Sequence, residues 1–174
     1  MLNSINVVFP DLETERMNLR ILTLEHSKEV HQHFADCHVT EFMDIEPCKD
    51  INEAEEIIRY HQEDSGCRWG LIDKGDGNFL GTIGFHYIRW NQVVTAEIGF
   101  DLSKAHWGKG FMTEAMIEVM AFGFLEAGFD AIDATVEPEN GKSLQLLRKL
   151  GFHEEKEPKD GLIYFYIEKE KMAS

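Results

Sequence analysis

A chain of 174 residues, 43% hydrophobic and 28% charged, has the size and composition of one domain, spanning 1–174, with an ordinary core. Its net charge of −15 argues against nonspecific nucleic-acid binding, which needs clustered Lys and Arg, and no apolar run reaches membrane-spanning length. Cys37, Cys48 and Cys67 are odd in number and lack a C-x-x-C spacing. With no basic, apolar leader either, the expectation is a cytoplasmic protein with reduced thiols, partnered by neither nucleic acid nor membrane.

The predicted elements alternate. Arg16 to Leu22 reads as a first strand, and Thr23 as the N-cap of a helix running to about Asp36. Thr40 to Pro47 reads as a loop that mixes Phe42, Met43 and Ile45 with Glu41, Asp44 and Glu46. Asp50 and Glu53 have capping-box spacing for a second helix. Arg68 to Asp73 is a short strand, and Gly75-Asp76-Gly77-Asn78 is a hairpin turn leading to long strands over Phe79–Trp90 and Val93–Leu102. A helix carrying Met112, Met116, Val119 and Met120 follows, with Gly128 available as its stop. Ala131 to Val136 is a strand, and Asn140 to Leu150 is a helix stopped by Gly151. A hairpin of His153–Glu157 and Leu162–Glu168 closes the chain. The order β-α-α-β-β-β-α-β-α-β-β defines a mixed α/β class.

The acidic excess is uneven, with 15 acids and 5 bases over residues 1–65 (net −10). An acidic surface keeps many proteins soluble, and the skew also leaves open a cationic partner met by the N-terminal part.

The run from Glu97 to Ala115 organises the rest. A half-buried strand ends at Leu102, and Gly108 and Gly110 mark a turn where backbone N–H groups can approach a ligand. A helix starts at once, and a helix start suits a phosphate or pyrophosphate. Gly108-x-Gly110-x-x-Thr113 lacks the third glycine of a dinucleotide fingerprint, and Phe111 stands where a P-loop needs Lys. The stretch resembles motif A of the GNAT superfamily of N-acetyltransferases. Its run Trp107-Gly108-Lys109-Gly110-Phe111-Met112-Thr113-Glu114-Ala115 looks most like the branch that acetylates ribosomal-protein N-termini. Ala105 departs from the Gln/Arg of that motif. The segment from Glu137 to Phe152 resembles motif B, Asn-x-x-Ser followed by a helix ending in Lys-x-Gly-Phe.

The resemblance implies a GNAT fold, with a mostly antiparallel sheet of about six to seven strands flanked by about four helices. It also implies acetyl-CoA as co-substrate, with no metal. Contacts to the cofactor are then expected from Phe100, Leu102, Trp107, Gly108, Lys109, Gly110, Phe111, Met112, Thr113, Asn140 and Ser143. Asn140 is at the same time an N-cap by position, and Lys104, Lys109 and Lys142 read equally as phosphate partners or as exposed lysines. Leu147 stands where many members place a Tyr acid, which leaves Ser143, or a water it holds, to protonate the departing thiolate. Glu97 reads either as a solvated strand residue or, by resemblance, as the general base; His86 is a second candidate base. Met43, Asp44, Glu46 and His86 are expected to meet the acceptor, an amine on a peptide N-terminus or a small cation. The histidines His31, His33 and His38 with Cys37 do not have zinc-site spacing. The expected assembly is a monomer or homodimer. Acceptors inside the class include a protein α-amine, a polyamine and an aminoglycoside; outside it, a non-catalytic module that binds coenzyme A is the alternative.

Overall fold

The computed structural model describes residues 6–172 of the chain. One eight-stranded sheet runs through it, with β1 (Leu12–Glu13), β2 (Met17–Ile21), β3 (Cys67–Asp73), β4 (Phe79–Trp90) and β5 (Val94–Leu102) as consecutive neighbours. β6 (Ala131–Val136) lies next to β5, and β8 (Ile163–Glu168) separates it from β7 (His153–Glu154). Every pairing is antiparallel except β5 with β6. The sheet thus exceeds the expected strand number by the two-residue β1, which is too short to show a period in sequence.

The sheet has an apolar face and a mixed face, set by strand alternation. On the apolar face Leu19, Trp69, Ile83, Phe85, Ile98, Ile132 and Phe165 are buried against α4 (Phe111–Leu125). Nine of the fifteen α4 residues are buried, so this helix is apolar nearly all round, as a helix buried on a sheet must be. Gly123 lets it approach closely, since a Cβ there would lie 3.0 Å from the Phe85 ring. The other face is covered by α1 (Ser27–Phe34), α2 (Cys37–Thr40) and α3 (Ile51–Glu63), whose Val30, Phe34, Val39, Ala54 and Ile58 form a second, smaller core.

Caps follow the sequence with two changes. Thr23 does stand at a helix start, but a 3-10 turn over Leu24–His26 precedes α1, and the segment ends at Phe34. The short α2 fills the stretch between that helix and the expected Thr40–Pro47 loop, and the Asp36 side chain caps it by accepting from His38 N. Asp50 caps α3 by accepting from Glu53 N at 2.9 Å, while Glu53 reaches back to Lys49 N rather than to the cap itself. α5 (Gly141–Lys149) ends at Gly151 (φ +88°), with Phe152 N bonded to Leu147 O and its ring buried. A short α6 (Lys169–Met172) ends the described chain.

Candidate active site

The site is built where the only parallel pairing in the described sheet stops. β5 and β6 are paired at Thr95–Ala131, Ala96–Ile132 and Glu97–Asp133, and the ladder goes no further. Beyond Glu97, β5 continues beside β4 to Leu102 and β6 continues beside β8 to Val136, so the two strands part. The gap opens the sheet into a cleft of about 1860 Å³ that reaches both faces. Backbone groups of Ile98 to Asp101 along one edge lack a strand partner on that side, which makes them available to an extended ligand.

The turn before α4 lines this cleft. Gly108 and Gly110 both adopt left-handed φ (+75° and +79°), a conformation that costs a residue with a Cβ about 1–2 kcal/mol. The first helical hydrogen bond is Glu114 N to Gly110 O (3.1 Å), so the N–H groups of Phe111, Met112 and Thr113 precede it and carry the positive end of the helix dipole. Arg16 braces the turn from behind: its guanidinium donates to Lys109 O and to Glu114 (both 2.9 Å) and lies 4.2 Å from the Phe111 ring centroid. No sequence signal marked Arg16, because its partners stand more than ninety positions away.

The start of α5 forms the facing wall. Asn140 Oδ1 accepts from Ser143 N (3.3 Å), so the cap is real and uses only the carbonyl oxygen of the amide. Asn140 and Ser143 both line the cleft, which leaves the two sequence readings of Asn140 compatible. Lys142 Nζ sits 4.9 Å from the Trp107 ring centroid, and Trp107 Nε1 donates to Leu102 O (2.9 Å). These contacts join the α5 start to the turn across the mouth of the cleft. Leu147 is fully buried, as a core residue should be.

Of the residues singled out from sequence, Phe100, Leu102, Trp107, Gly108, Gly110, Phe111, Met112, Thr113, Asn140, Ser143, Met43, Asp44, Glu46, His86 and Glu97 line this one cleft. Lys109 does not; its carbonyl is turned to Arg16.

Beneath the α1–α3 wall of the cleft lies a polar network that the sequence did not announce. Asp101, 5% exposed in its side chain, takes Arg68 Nη2 (2.7 Å) and the Thr82 hydroxyl (2.7 Å) on Oδ2, and His33 Nε2 (2.5 Å) and Thr82 N (3.0 Å) on Oδ1. Burial alone would raise its pKa, yet His33, Arg68 and Thr82 hold its carboxyl well below the usual carboxylate range. Arg68 continues to His86 Nε2 at 2.7 Å. Gly99 makes room for this contact, since a Cβ there would meet Arg68 Nη1 at 2.9 Å and His86 Nε2 at 3.2 Å. Burial, reinforced by Arg68, pushes His86 down to about 3, and the same two causes bring His61 to about 3. Both are neutral at pH 7, and the Nε2 lone pair of His86 is already taken by Arg68. Glu97 lines the same cleft. Burial first, then the neighbouring Asp133, raise the Glu97 pKa, and Arg89 opposes them.

The histidines considered as ligands go different ways. His33 is committed to Asp101, while Asp36, Cys37 and His38 bring one donor atom each within 4.8 Å at the start of α2. There Asp36 Oδ1 already serves the backbone and ring nitrogens of His38.

A splayed mixed sheet with a glycine turn and a helix start aimed into the gap is an acyltransferase architecture, and sequence comparison agrees. Residues 16–153 match the acetyltransferase (GNAT) domain, and the chain belongs to that family of N-acetyltransferases. An uncharacterized N-acetyltransferase, p20 of Bacillus licheniformis, is 38% identical over 148 residues, covering 83% of each chain. The [ribosomal protein uS5]-alanine N-acetyltransferase of Escherichia coli is 27% identical over 107 residues, 62% of this chain and 55% of that one. Among solved structures, spermidine N-acetyltransferase from Vibrio cholerae in complex with coenzyme A and spermine superposes with a TM-score of 0.79 at 22% identity, covering 91% and 99% of the two chains. Among the described residues no helix is long and apolar enough to cross a membrane.

Proposed function

We propose that this N-acetyltransferase uses acetyl-CoA and transfers the acetyl group to the α-amine of a peptide or protein with basic residues nearby. The observation that carries the reading is the cleft itself, in which the α4 start, the α5 start and Glu97 meet at the point where β5 and β6 part. The pyrophosphate lies against the N–H groups before α4, and Asn140 and Ser143 face the pantetheine and sulfur end. The amine enters from the α1–α3 side and gives a proton to the Glu97 carboxylate. Its nitrogen attacks the thioester carbon, polarised by a backbone N–H near Phe100. The C–S bond breaks, and the thiolate receives the second amine proton through Ser143 or a water it holds.

The acceptor side of the cleft is lined by Glu41, Asp44, Glu46, Glu53 and Glu56, interleaved with Phe42, Met43 and Ile45. That wall suits a cation carrying an apolar portion. An α-amine is the easier nucleophile: with a pKa near 7.8 it costs about 1 kcal/mol to present neutral at pH 7, against about 4.6 kcal/mol for a lysine amine. The relationship to a ribosomal-protein alanine acetyltransferase supports the same choice. A polyamine is the second reading, favoured by the same acidic wall.

Release of free thiol from acetyl-CoA, measured with a panel of basic N-terminal peptides, polyamines and aminoglycosides, tests the assignment. Efficient turnover of the small amines with none of the peptides would reject the peptide acceptor, and no thiol release with any amine would leave a coenzyme A-binding module. Reversing Asp44 and Glu46 to Lys should raise KM for the basic peptide and weaken its salt dependence, with acetyl-CoA affinity unchanged.

Acetyl-CoA should also stabilise the fold by about 2.7 kcal/mol at a hundred times its Kd. Gly110→Asp should abolish that ligand-induced shift, because it adds bulk and negative charge where the pyrophosphate sits. Its own left-handed φ also lowers the unliganded Tm, so the readout is the shift rather than the baseline. An equal shift in wild type and variant would remove the turn from cofactor binding.

A further inference from the structure

The geometry points to Asp133 as a positioning residue that sets the proton affinity of Glu97, the two carboxyl groups acting as a pair at the last rung before β5 and β6 part. The inference rests on the reading of Glu97 as the proton acceptor. Glu97 and Asp133 are register partners in the parallel ladder, so their side chains leave the same face of the sheet about 5 Å apart at the backbone. Asp133 is 4% exposed and does not line the cleft. Two donors converge on its Oδ2: Arg89 Nη2 at 2.5 Å and the Tyr164 hydroxyl at 2.7 Å. Its Oδ1 is buried with no hydrogen-bond partner among the described residues.

A buried carboxylate oxygen with no donor to its lone pairs is costly, on the order of 1–3 kcal/mol, and structures rarely leave one without reason. A proton on Glu97 supplies the missing donor, through a carboxyl–carboxylate contact across the strands. Arg89 and Tyr164 anchor the negative charge on Asp133, so the proton the amine surrenders sits on Glu97, which faces the cleft. From there it passes to water, and Glu97 returns to its basic form. The proton balance is closed: one proton leaves the ammonium through Glu97 to solvent, and the second follows the leaving sulfur.

The groups facing Glu97 are His86 and Arg89 on β4, Asp133 on β6, and Tyr164 on β8 acting through Asp133; His61 of α3 lies beyond, with its ring 5.1 Å from that of His86. His61 and His86 are neutral at working pH, so beyond burial, which raises the Glu97 pKa most, the charges that act on it are Asp133 on one side and Arg89 on the other. Opposite changes at these two residues therefore have opposite consequences. Asp133→Asn removes a negative neighbour and makes Glu97 a weaker base. Arg89→Gln removes a positive one and makes it stronger.

The experiment follows the acidic limb of the pH–rate profile with a basic N-terminal peptide, together with 13C NMR titration of the Glu97 carboxyl in the ligand-free protein. Expected are a downward shift of about half a pH unit or more in Asp133→Asn and an upward shift in Arg89→Gln, in both measurements. An unmoved Glu97 titration in folded Asp133→Asn, or shifts of the same sign in the two variants, would overturn the assignment. Should Asp133→Asn fail to fold, Arg89→Gln decides alone, an upward shift supporting the pair and its absence refuting it. The NMR titration needs no turnover, so opposite titration shifts with an unmoved acidic limb would reject Glu97 as the proton acceptor and leave the carboxyl pair standing.

Discussion

Asp101→Asn should destabilise the protein by about 3–5 kcal/mol, a large fraction of the 5–15 kcal/mol that domains of this size possess. The carboxylate receives four hydrogen bonds from three residues, and two of these partners reach it from separate elements, His33 from α1 and the Arg68 guanidinium from β3. Asparagine has nearly the same shape but leaves the Arg68 guanidinium, only 6% exposed, without its counter-charge. The folded-state pKa of Asp101 is held below its unfolded value of about 3.9, so its contribution is fully present above that pH and is lost as pH falls through the folded value. The difference between wild type and variant should therefore shrink progressively below about pH 4. Urea midpoints with an unchanged m-value measure the effect. Adding Arg68→Met to the variant should recover part of the loss, because the orphaned buried charge is then gone. A loss under about 1 kcal/mol would mean that water reaches the network.

The same network explains which parts of the site were legible in sequence. The glycine turn, the α4 start and the Asn140 cap are local features, each set by residues within a few positions of one another, and the structure places all of them where the spacing predicts. What escaped is the non-local part. Arg68, Thr82 and Asp101 read as ordinary alternating strand residues, and only the pairing of β3, β4 and β5 puts them on one face beneath α1. Asp133 stood inside an apolar strand without a visible partner, because Arg89 is 44 positions away and Tyr164 is 31. Arg16 and Glu114 are further apart still. The parting of β5 and β6 has no local signature either, since Ile98 to Leu102 keep their alternation after the ladder with β6 ends, and only the family resemblance implies it. The two-residue β1, the 3-10 turn before α1 and the four-residue α2 are too short for periodicity to register. For His86 the sequence shows the chemistry of a base and hides the Arg68 nitrogen that occupies its lone pair.

Glu97→Gln should lower kcat by roughly 10² or more, about 2.7 kcal/mol of transition-state stabilisation, with Kd for acetyl-CoA unchanged. The acceptor nitrogen must lose a proton to attack, and Glu97 is the cleft-lining carboxylate at the point where the strands part. Glutamine keeps the shape and hydrogen-bonding reach but cannot take a proton. Burial and Asp133 raise the pKa of Glu97, so in the wild type the acidic limb should lie above the ordinary carboxylate range, with activity falling as pH drops through it. In the variant that limb should vanish, leaving a profile that rises with the deprotonation of the acceptor amine itself. The loss should be smaller for an acceptor whose amine is already partly neutral at the assay pH, so an α-amine peptide should retain more activity than a lysine acceptor. Ser143→Ala should cost less than Glu97→Gln, because a water can replace a hydroxyl at the sulfur. Full turnover in Glu97→Gln would assign proton removal to solvent. His86 would not inherit the role, since its Nε2 is held by Arg68 and its neutral ring would have to charge in a buried site beside a guanidinium.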